Sequence, residues 1–283
     1  METSAATQTP STEPLPMATL PGSKVLLMGD TGVGKTYAIQ TLLDCGITPF
    51  IIFTEPGMET LGKVLDRCHW KYIPPKTPGW ADFAKGLQKV NTLSYEALCK
   101  TADLDRMKYV GFLDVINQCN DFIDQNGESF GDCATWGTDR ALCIDSLSAL
   151  STMSMQLVIG GKVTKAPQDY GIAQNMLEML VEKLVSDLSC WFLLTSHLAR
   201  EKNEVTGGTE VTVSTIGKAL APNLPKHFSD VIEAKRAGTK FWWSTDGMGV
   251  ASKARNVPIS NDIQPTFTSL VNSWKERGGI NSS

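Results

Sequence analysis

The octet Gly29-Asp30-Thr31-Gly32-Val33-Gly34-Lys35-Thr36 constrains this chain more than any other stretch. It has the form Gly-x-x-x-x-Gly-Lys-Thr, and what flanks it is as telling as the octet itself. The residues before it, Lys24-Val25-Leu26-Leu27-Met28, form a short apolar run that reads as a buried strand. Those after it place Ala38, Ile39, Leu42 and Leu43 on one helical face and end at Gly46, a good helix C-cap. A glycine loop between a strand and a helix is built to hold phosphate. Gly32 and Gly34 permit a backbone turn that side chains would obstruct, so loop N–H groups can converge on anionic oxygens. The helix N-terminus adds partial positive charge. Lys35 supplies a cation for the β- and γ-phosphates, and Thr36 offers a hydroxyl to Mg²⁺. The expected ligands are ATP and Mg²⁺, held by Gly29, Asp30, Thr31, Gly32, Val33, Gly34, Lys35, Thr36 and the following Tyr37. No guanine-reading Asn-Lys-x-Asp sequence is present, which favours ATP over GTP.

Further apolar runs supply the rest of a sheet. Residues 49–55, 140–145, 190–196 and 230–234 read as strands buried on both faces. Phe241-Trp242-Trp243 and Val250-Ala251-Ser252 read as a C-terminal β-hairpin turning at Asp246-Gly247. On adjacent strand positions Trp242 and Trp243 face opposite sides, so at least one of them packs in the core. A helix is expected over 172–188, with Ile172, Met176, Met179, Leu180 and Leu184 inward. Strands alternating with helices predict an α/β fold, a wound and mostly parallel sheet flanked by helices. The expected organisation is a tail over 1–22, an ATPase core over 23–260 with a helical insertion at about 58–138, and a C-terminal segment over 261–283. Amphipathic pieces within the insertion run from Trp80 to Val90 and from Val110 to Ile123.

Composition excludes several alternatives. With 26 basic and 30 acidic residues the formal charge is -4, so any nucleic-acid contact must come from local patches. No apolar run approaches the roughly 20 residues that span a bilayer. The seven cysteines form no Cys-x-x-Cys pair, which argues for reduced thiols and against a zinc ribbon; Cys68-His69 has no matching second pair. The tail lacks an apolar stretch and arginine, so neither a signal nor a transit peptide is expected, and the expected location is cytoplasmic.

Asp145 ends an apolar strand, where a carboxylate can hold the hydration shell of Mg²⁺. Glu55 lies just past the second strand in Phe53-Thr54-Glu55-Pro56-Gly57. The fourth strand ends at Ser196-His197, and Lys253-Ala254-Arg255-Asn256 is a basic strand end whose two cations share a face.

These features together resemble the RecA-like and DnaB-like P-loop ATPases, in particular the phage-type, core-only group that includes Sak-type single-strand annealing recombinases. Gly217-Lys218-Ala219-Leu220-Ala221-Pro222 followed by Pro225 and Phe228 is similar to that group as well. The resemblance implies a RecA-like core in which Glu55 polarises the attacking water. It implies a γ-phosphate sensor at His197, or at Ser196 if the register shifts by one, where the usual residue is Gln. It implies that Lys253 and Arg255 reach a neighbouring subunit's site, hence a homo-oligomer. It also implies single-stranded DNA as a partner in recombination, annealing or replication, bound through loops carrying Lys162, Lys165, Arg200 and Lys202. A phage-encoded protein would work in the host cytoplasm. An oligomeric ATPase acting on protein partners, in virion assembly or regulation, stays open, because acidic residues dilute the second loop and neither loop offers an internal aromatic.

Overall fold

The computed structural model describes residues 20–100, 106–162, 164–202, 209–246 and 252–282. Most of the tail expected over 1–22 therefore lies outside the described residues.

The expected sheet is present and is mostly parallel. Its strands are β1 (Lys24–Gly29), β2 (Thr48–Phe53), β3 (His69–Tyr72), β4 (Arg140–Asp145), β5 (Trp191–Ser196), β8 (Asp230–Ala237) and β9 (Lys240–Ser244). A small separate sheet pairs β6 (Leu198–Lys202) with β7 (Thr209–Val213). The main sheet has seven strands in the order β3-β2-β4-β5-β1-β8-β9, all parallel except β9. β5 lies between β1, which feeds the glycine loop, and β4, which ends at Asp145.

Alternation along the strands divides the core into two layers. Leu26, Met28, Phe50, Ile52, Leu142, Ile144, Phe192 and Leu194 face one side. There they meet α4 (Gly111–Asn120), α5 (Leu147–Ile159) and α6 (Pro167–Asp187). Leu27, Ile51, Phe53, Cys143, Leu193 and Ile232 face the other. These pack on the helical segment that follows the glycine loop and on α7 (Thr268–Glu276). That segment begins as α1 (Lys35–Ala38), tightens to a 3₁₀ turn over Ile39–Cys45 and stops at Gly46, whose φ of 73° satisfies the C-cap. α7 buries Leu270, Val271 and Trp274, so the segment at 261–283 contributes to the same core as the sheet. No described helix is long and apolar enough to cross a membrane.

Three local expectations are corrected. The helix expected at 172–188 starts a turn earlier, because Pro167 suits a first helical position and the Asp169 carboxylate accepts from Ala166 N at 2.8 Å. Its buried stripe is Ala173, Leu177, Leu180, Val181 and Leu184, while Ile172 and Met179 are exposed. Apolar residues occur on more than one face of this helix, and packing against α5 selects the stripe.

The hairpin expected from Phe241 to Ser252 is formed instead by β8 and β9 around Gly238, at φ 59°. β9 meets Ile263, bridged to Trp243, on its other side. Gly247 of the expected turn and Val250 and Ala251 of the expected second strand lie outside the described residues. Trp243 is fully buried against Phe267, with ring centroids 5.0 Å apart.

Within the insertion, β3 is an unforeseen edge strand parallel to β2. Its four residues are all partly exposed, so no continuous apolar run marks it. His69 is held there by stacking on Phe50 at 4.6 Å and by Asp124 at 3.1 Å. The helical pieces of the insertion are α2 (Trp80–Thr92), α3 (Tyr95–Lys100) and α4; the first two bury no residue, and α4 buries Phe112 and Val115.

Candidate functional site

The glycine loop leaves β1 between β5 and β8, at the carboxyl ends of the parallel strands. Gly29 is in register with Ala234, and a Cβ at Gly29 would stand 2.6 Å from the Ala234 carbonyl oxygen. Gly34 adopts φ 89° and lies under the Phe241 ring, 3.4 Å from where its Cβ would be. The loop can therefore take this course only with glycine at these positions.

Lys35 is 7% exposed, and its Nζ donates to the carbonyls of Gly29 at 2.9 Å and Asp30 at 2.8 Å. Burial pushes its pKa down, and the carboxylates of Asp145, Glu55 and Asp30 oppose that shift. With Asp30 paired to Arg200, the carboxylates of Asp145 and Glu55 still outnumber the one buried ammonium where a polyphosphate would enter. That arrangement calls for a divalent cation, and the oxygen donors for one are present. Thr36 Oγ1 donates to Asp145 Oδ2 at 2.7 Å. Thr195 Oγ1 donates to Asp145 Oδ1, which β5 makes possible by lying between β1 and β4. These residues fit a hydrated Mg²⁺ held through Thr36 and Asp145.

Glu55 follows β2 and is held from two sides. Ser146 Oγ donates to its Oε1 at 2.6 Å, and His197 Nε2 lies 3.1 Å from its Oε2. Hydrogen bonding to His197, with help from Ser146, keeps this carboxyl below the usual range despite partial burial. A reciprocal backbone clamp supports it. Thr54 Oγ1 donates to the Ser146 carbonyl at 3.0 Å and accepts from Ser146 N at 2.7 Å, and Thr54 N donates to the Asp145 carbonyl at 2.7 Å. The ends of β2 and β4 are thus tied together below the carboxylates.

A cavity of about 970 Å³ opens in front of these groups. It is lined by Thr31 to Tyr37, Glu55, Asp145 and His197, with Thr60, Phe241, Pro265 and Thr266 forming a further wall. Its size is at the upper end of the range for ligand pockets, large enough for a nucleoside triphosphate. Tyr37 and Phe241 present exposed aromatic surface to it, suited to a planar base.

The structure thus brings Thr31–Thr36, Tyr37, Glu55, Asp145 and His197 to one cavity, with Gly29 and Asp30 behind it as carbonyl partners of Lys35. It does not bring Lys253 and Arg255 there. Lys253 bridges Val231 near the start of β8, and its Nζ donates to the Lys226 carbonyl at 3.1 Å. The exposed Arg255 lines a second cavity, of about 680 Å³, with Lys24 and Arg277 at the amino ends of the strands. The two cations also do not lie on one regular strand: Lys253 makes an isolated bridge, and Asp230 Oδ1 accepts from Arg255 N and Asn256 N at 2.7 Å each.

The cations expected on the loops are dispersed. Lys162 pairs with Asp169 at 3.8 Å, Lys165 is exposed, and the Lys202 side chain lies outside the described residues. Arg200 forks onto Asp30, with Nη1 to Oδ1 at 2.8 Å and Nη2 to Oδ2 at 2.6 Å. This pairing holds the Asp30 carboxyl below its ordinary pKa.

Sequence reasoning passed over Ser146, Thr195, Phe241 and Arg236, all of which support the site. Ser146 and Thr195 sit at strand ends beside residues that were singled out, so a hydroxyl at a strand terminus was the available signal. Phe241 and Arg236 carry no local signal. Phe241 reaches the loop because β9 folds back on β8, and Arg236 because β8 runs beside β1, which puts its Nη1 3.3 Å from the Gly32 carbonyl.

No protein-family model matches the chain, and no curated protein does. Among solved structures it is similar to a prototypical ATPase from the type III secretion system of pathogenic bacteria. That match has 12% identity and a TM-score of 0.38, over 76% of this chain and 53% of the other. The chain therefore spans about half the length of that ATPase. It is also similar to the flagellar accessory protein FlaH from Methanocaldococcus jannaschii, with 11% identity and a TM-score of 0.30, over 79% of this chain and 77% of the other. Neither likeness is strong enough to carry an activity across.

Proposed function

We propose that this chain is a Mg²⁺-dependent ATPase. The observation that carries the reading is the convergence of Lys35, the Thr36–Asp145 pair and Glu55 on one cavity. Each meets a separate requirement of phosphoryl transfer to water: a cation for the phosphates, a metal anchor and a base. Bound Mg²⁺ would neutralise charge on the β- and γ-phosphates. Lys35 exchanges its carbonyl partners for phosphate oxygens. Glu55 orients a water and takes its proton as the water oxygen bonds to the γ-phosphorus; the bond from that phosphorus to the bridging oxygen breaks, and ADP leaves. His197 holds Glu55 beforehand, and its reorientation frees the carboxylate. Glu55→Gln should leave ATP binding intact and lower turnover by about a hundred- to ten-thousandfold. A variant that hydrolyses normally would remove Glu55 from this role.

The proposed output element is the β6–β7 hairpin, which leaves β5 immediately after His197 and is tied back by Ser214 N donating to the His197 carbonyl at 2.8 Å. Single-stranded DNA is the proposed partner of this region, tested by ATP turnover with and without DNA across a salt series. Turnover that ignores DNA at every salt concentration favours the alternative, a protein partner. The pairing of Lys162 and Arg200 with acids inclines toward that alternative. Lys253 and Arg255 retain a proposed role in trans, on a neighbouring copy's nucleotide. Two features support it: Asp230 anchors the backbone at Arg255, and the exposed guanidinium has no hydrogen-bond partner among the described residues. Arg255→Ala should then reduce turnover while leaving ATP binding largely intact.

A further inference from the structure

Two arginines of the same chain flank the glycine loop, and they are held differently. Arg236 Nε donates to the Gly238 carbonyl at 2.8 Å, its Nη1 reaches the Gly32 carbonyl, and its guanidinium lies 5.1 Å from the Phe241 ring centroid. It is fastened to a hairpin turn, to the loop backbone and to an aromatic face. Among the described residues, Arg200 hydrogen-bonds only to the carboxylate of Asp30. Both side chains of that pair are about half exposed, 51% and 52%. At that exposure water reaches both groups, so the fork can be exchanged for another anion without unburying a charge.

We propose that Arg200 is a ligand of the terminal phosphate of bound ATP, parked on Asp30 in the free chain and transferred when the triphosphate enters. This rests on the ATPase reading above and goes beyond it by naming a cation from within the same chain.

Several observations support the transfer. Asp30 is the second residue of the glycine loop, and a bare carboxylate beside that loop would repel an entering polyanion. The Asp30 carbonyl accepts from Lys35 Nζ at 2.8 Å, which places the residue beside the loop lysine, and its carboxylate feels the charges of Lys35 and His197. A guanidinium prefers a planar pair of anionic oxygens, and a phosphate offers the same edge as a carboxylate with more charge. Arg200 also lies on β6, outside the main sheet, so it can move without disturbing the core. Its departure from Asp30 would report the terminal phosphate to the β6–β7 hairpin. The competing account is that Arg200 only neutralises Asp30.

The test is equilibrium binding of ADP and of a non-hydrolysable ATP analogue to the full chain with Mg²⁺. The comparison uses wild type, Arg200→Ala, Arg200→Lys, Asp30→Asn and the Asp30→Asn/Arg200→Ala double variant. Arg200→Ala should weaken the analogue by about tenfold or more and ADP by much less. Arg200→Lys keeps the charge but loses the fork, so it should bind ADP as wild type does and bind the analogue more weakly. The double variant should not regain the wild-type preference for the analogue over ADP. If it does regain it, or if Arg200→Ala leaves the preference unchanged, the proposal is overturned while the ATPase reading stands. A wild-type chain that binds neither nucleotide overturns both.

Discussion

The two ends of the sheet each hold a buried lysine, and their surroundings make one a tool and the other a fixture. Lys35, at the carboxyl end, donates to the carbonyls of Gly29 and Asp30. Lys24, at the amino end, donates to those of Gly22 at 2.8 Å and Cys190 at 2.6 Å. The hydrogen bonding is nearly the same. Lys35, however, has three carboxylates near it, which hold its charge in place against burial. Among the described residues no carboxylate offsets the burial of Lys24, and its pKa falls to about 8. A buried ammonium among acids can be handed to a polyphosphate, because an anion and a metal ion complete the charge balance there. A buried ammonium among carbonyls closes the start of a strand.

The largest effect expected from this contrast is functional. Lys35→Ala should weaken ATP binding by about a hundredfold, since charge-assisted bonds to phosphate are lost together. Lys24→Ala should leave binding within a few-fold and act on stability instead. Equal loss of binding in both variants, measured by calorimetry on folded protein, would erase the distinction.

The next largest effect concerns pH. Between about 8 and 10.5, the unfolded chain keeps the Lys24 proton that the native chain has released. Stability from this residue therefore rises with pH across that window and is lowest below it, by at most about 3 kcal/mol. Urea unfolding of wild type and Lys24→Met should show the wild type gaining relative to the variant from pH 7.5 to pH 10.5. A flat difference would mean that Lys24 is not buried as a charge.

The smallest effect tests the aromatic wall. Phe241→Ala should lower ATP affinity about two- to tenfold and leave the Mg²⁺ dependence unchanged. Unchanged affinity would move the base away from Phe241.

Much of this arrangement is legible in the order of residues. The runs at 24–28 and 140–145 mark buried strands because a strand covered on both faces must be apolar nearly throughout. Gly34 marks a positive φ and Asp145 a strand end, both properties of a few adjacent residues. β3 was not legible, since an edge strand of four half-exposed residues has no periodic signature. The inward face of α6 was not legible either, because its apolar residues spread over more than one face and the neighbouring helix chose among them.

Local chemistry thus determines the glycine loop, the strands around it and the candidate base and metal anchor. Long-range order decides how they meet. Strand order inserts β5 between β1 and β4 and so sets Thr195 on Asp145. It carries Arg200 back across 170 positions to Asp30 and leaves Arg255 at the far end of the sheet. A short stretch can encode a conformation, because backbone preference and apolar period act over a few residues. It cannot encode which distant side chain will arrive beside it, because that depends on every strand pairing between the two.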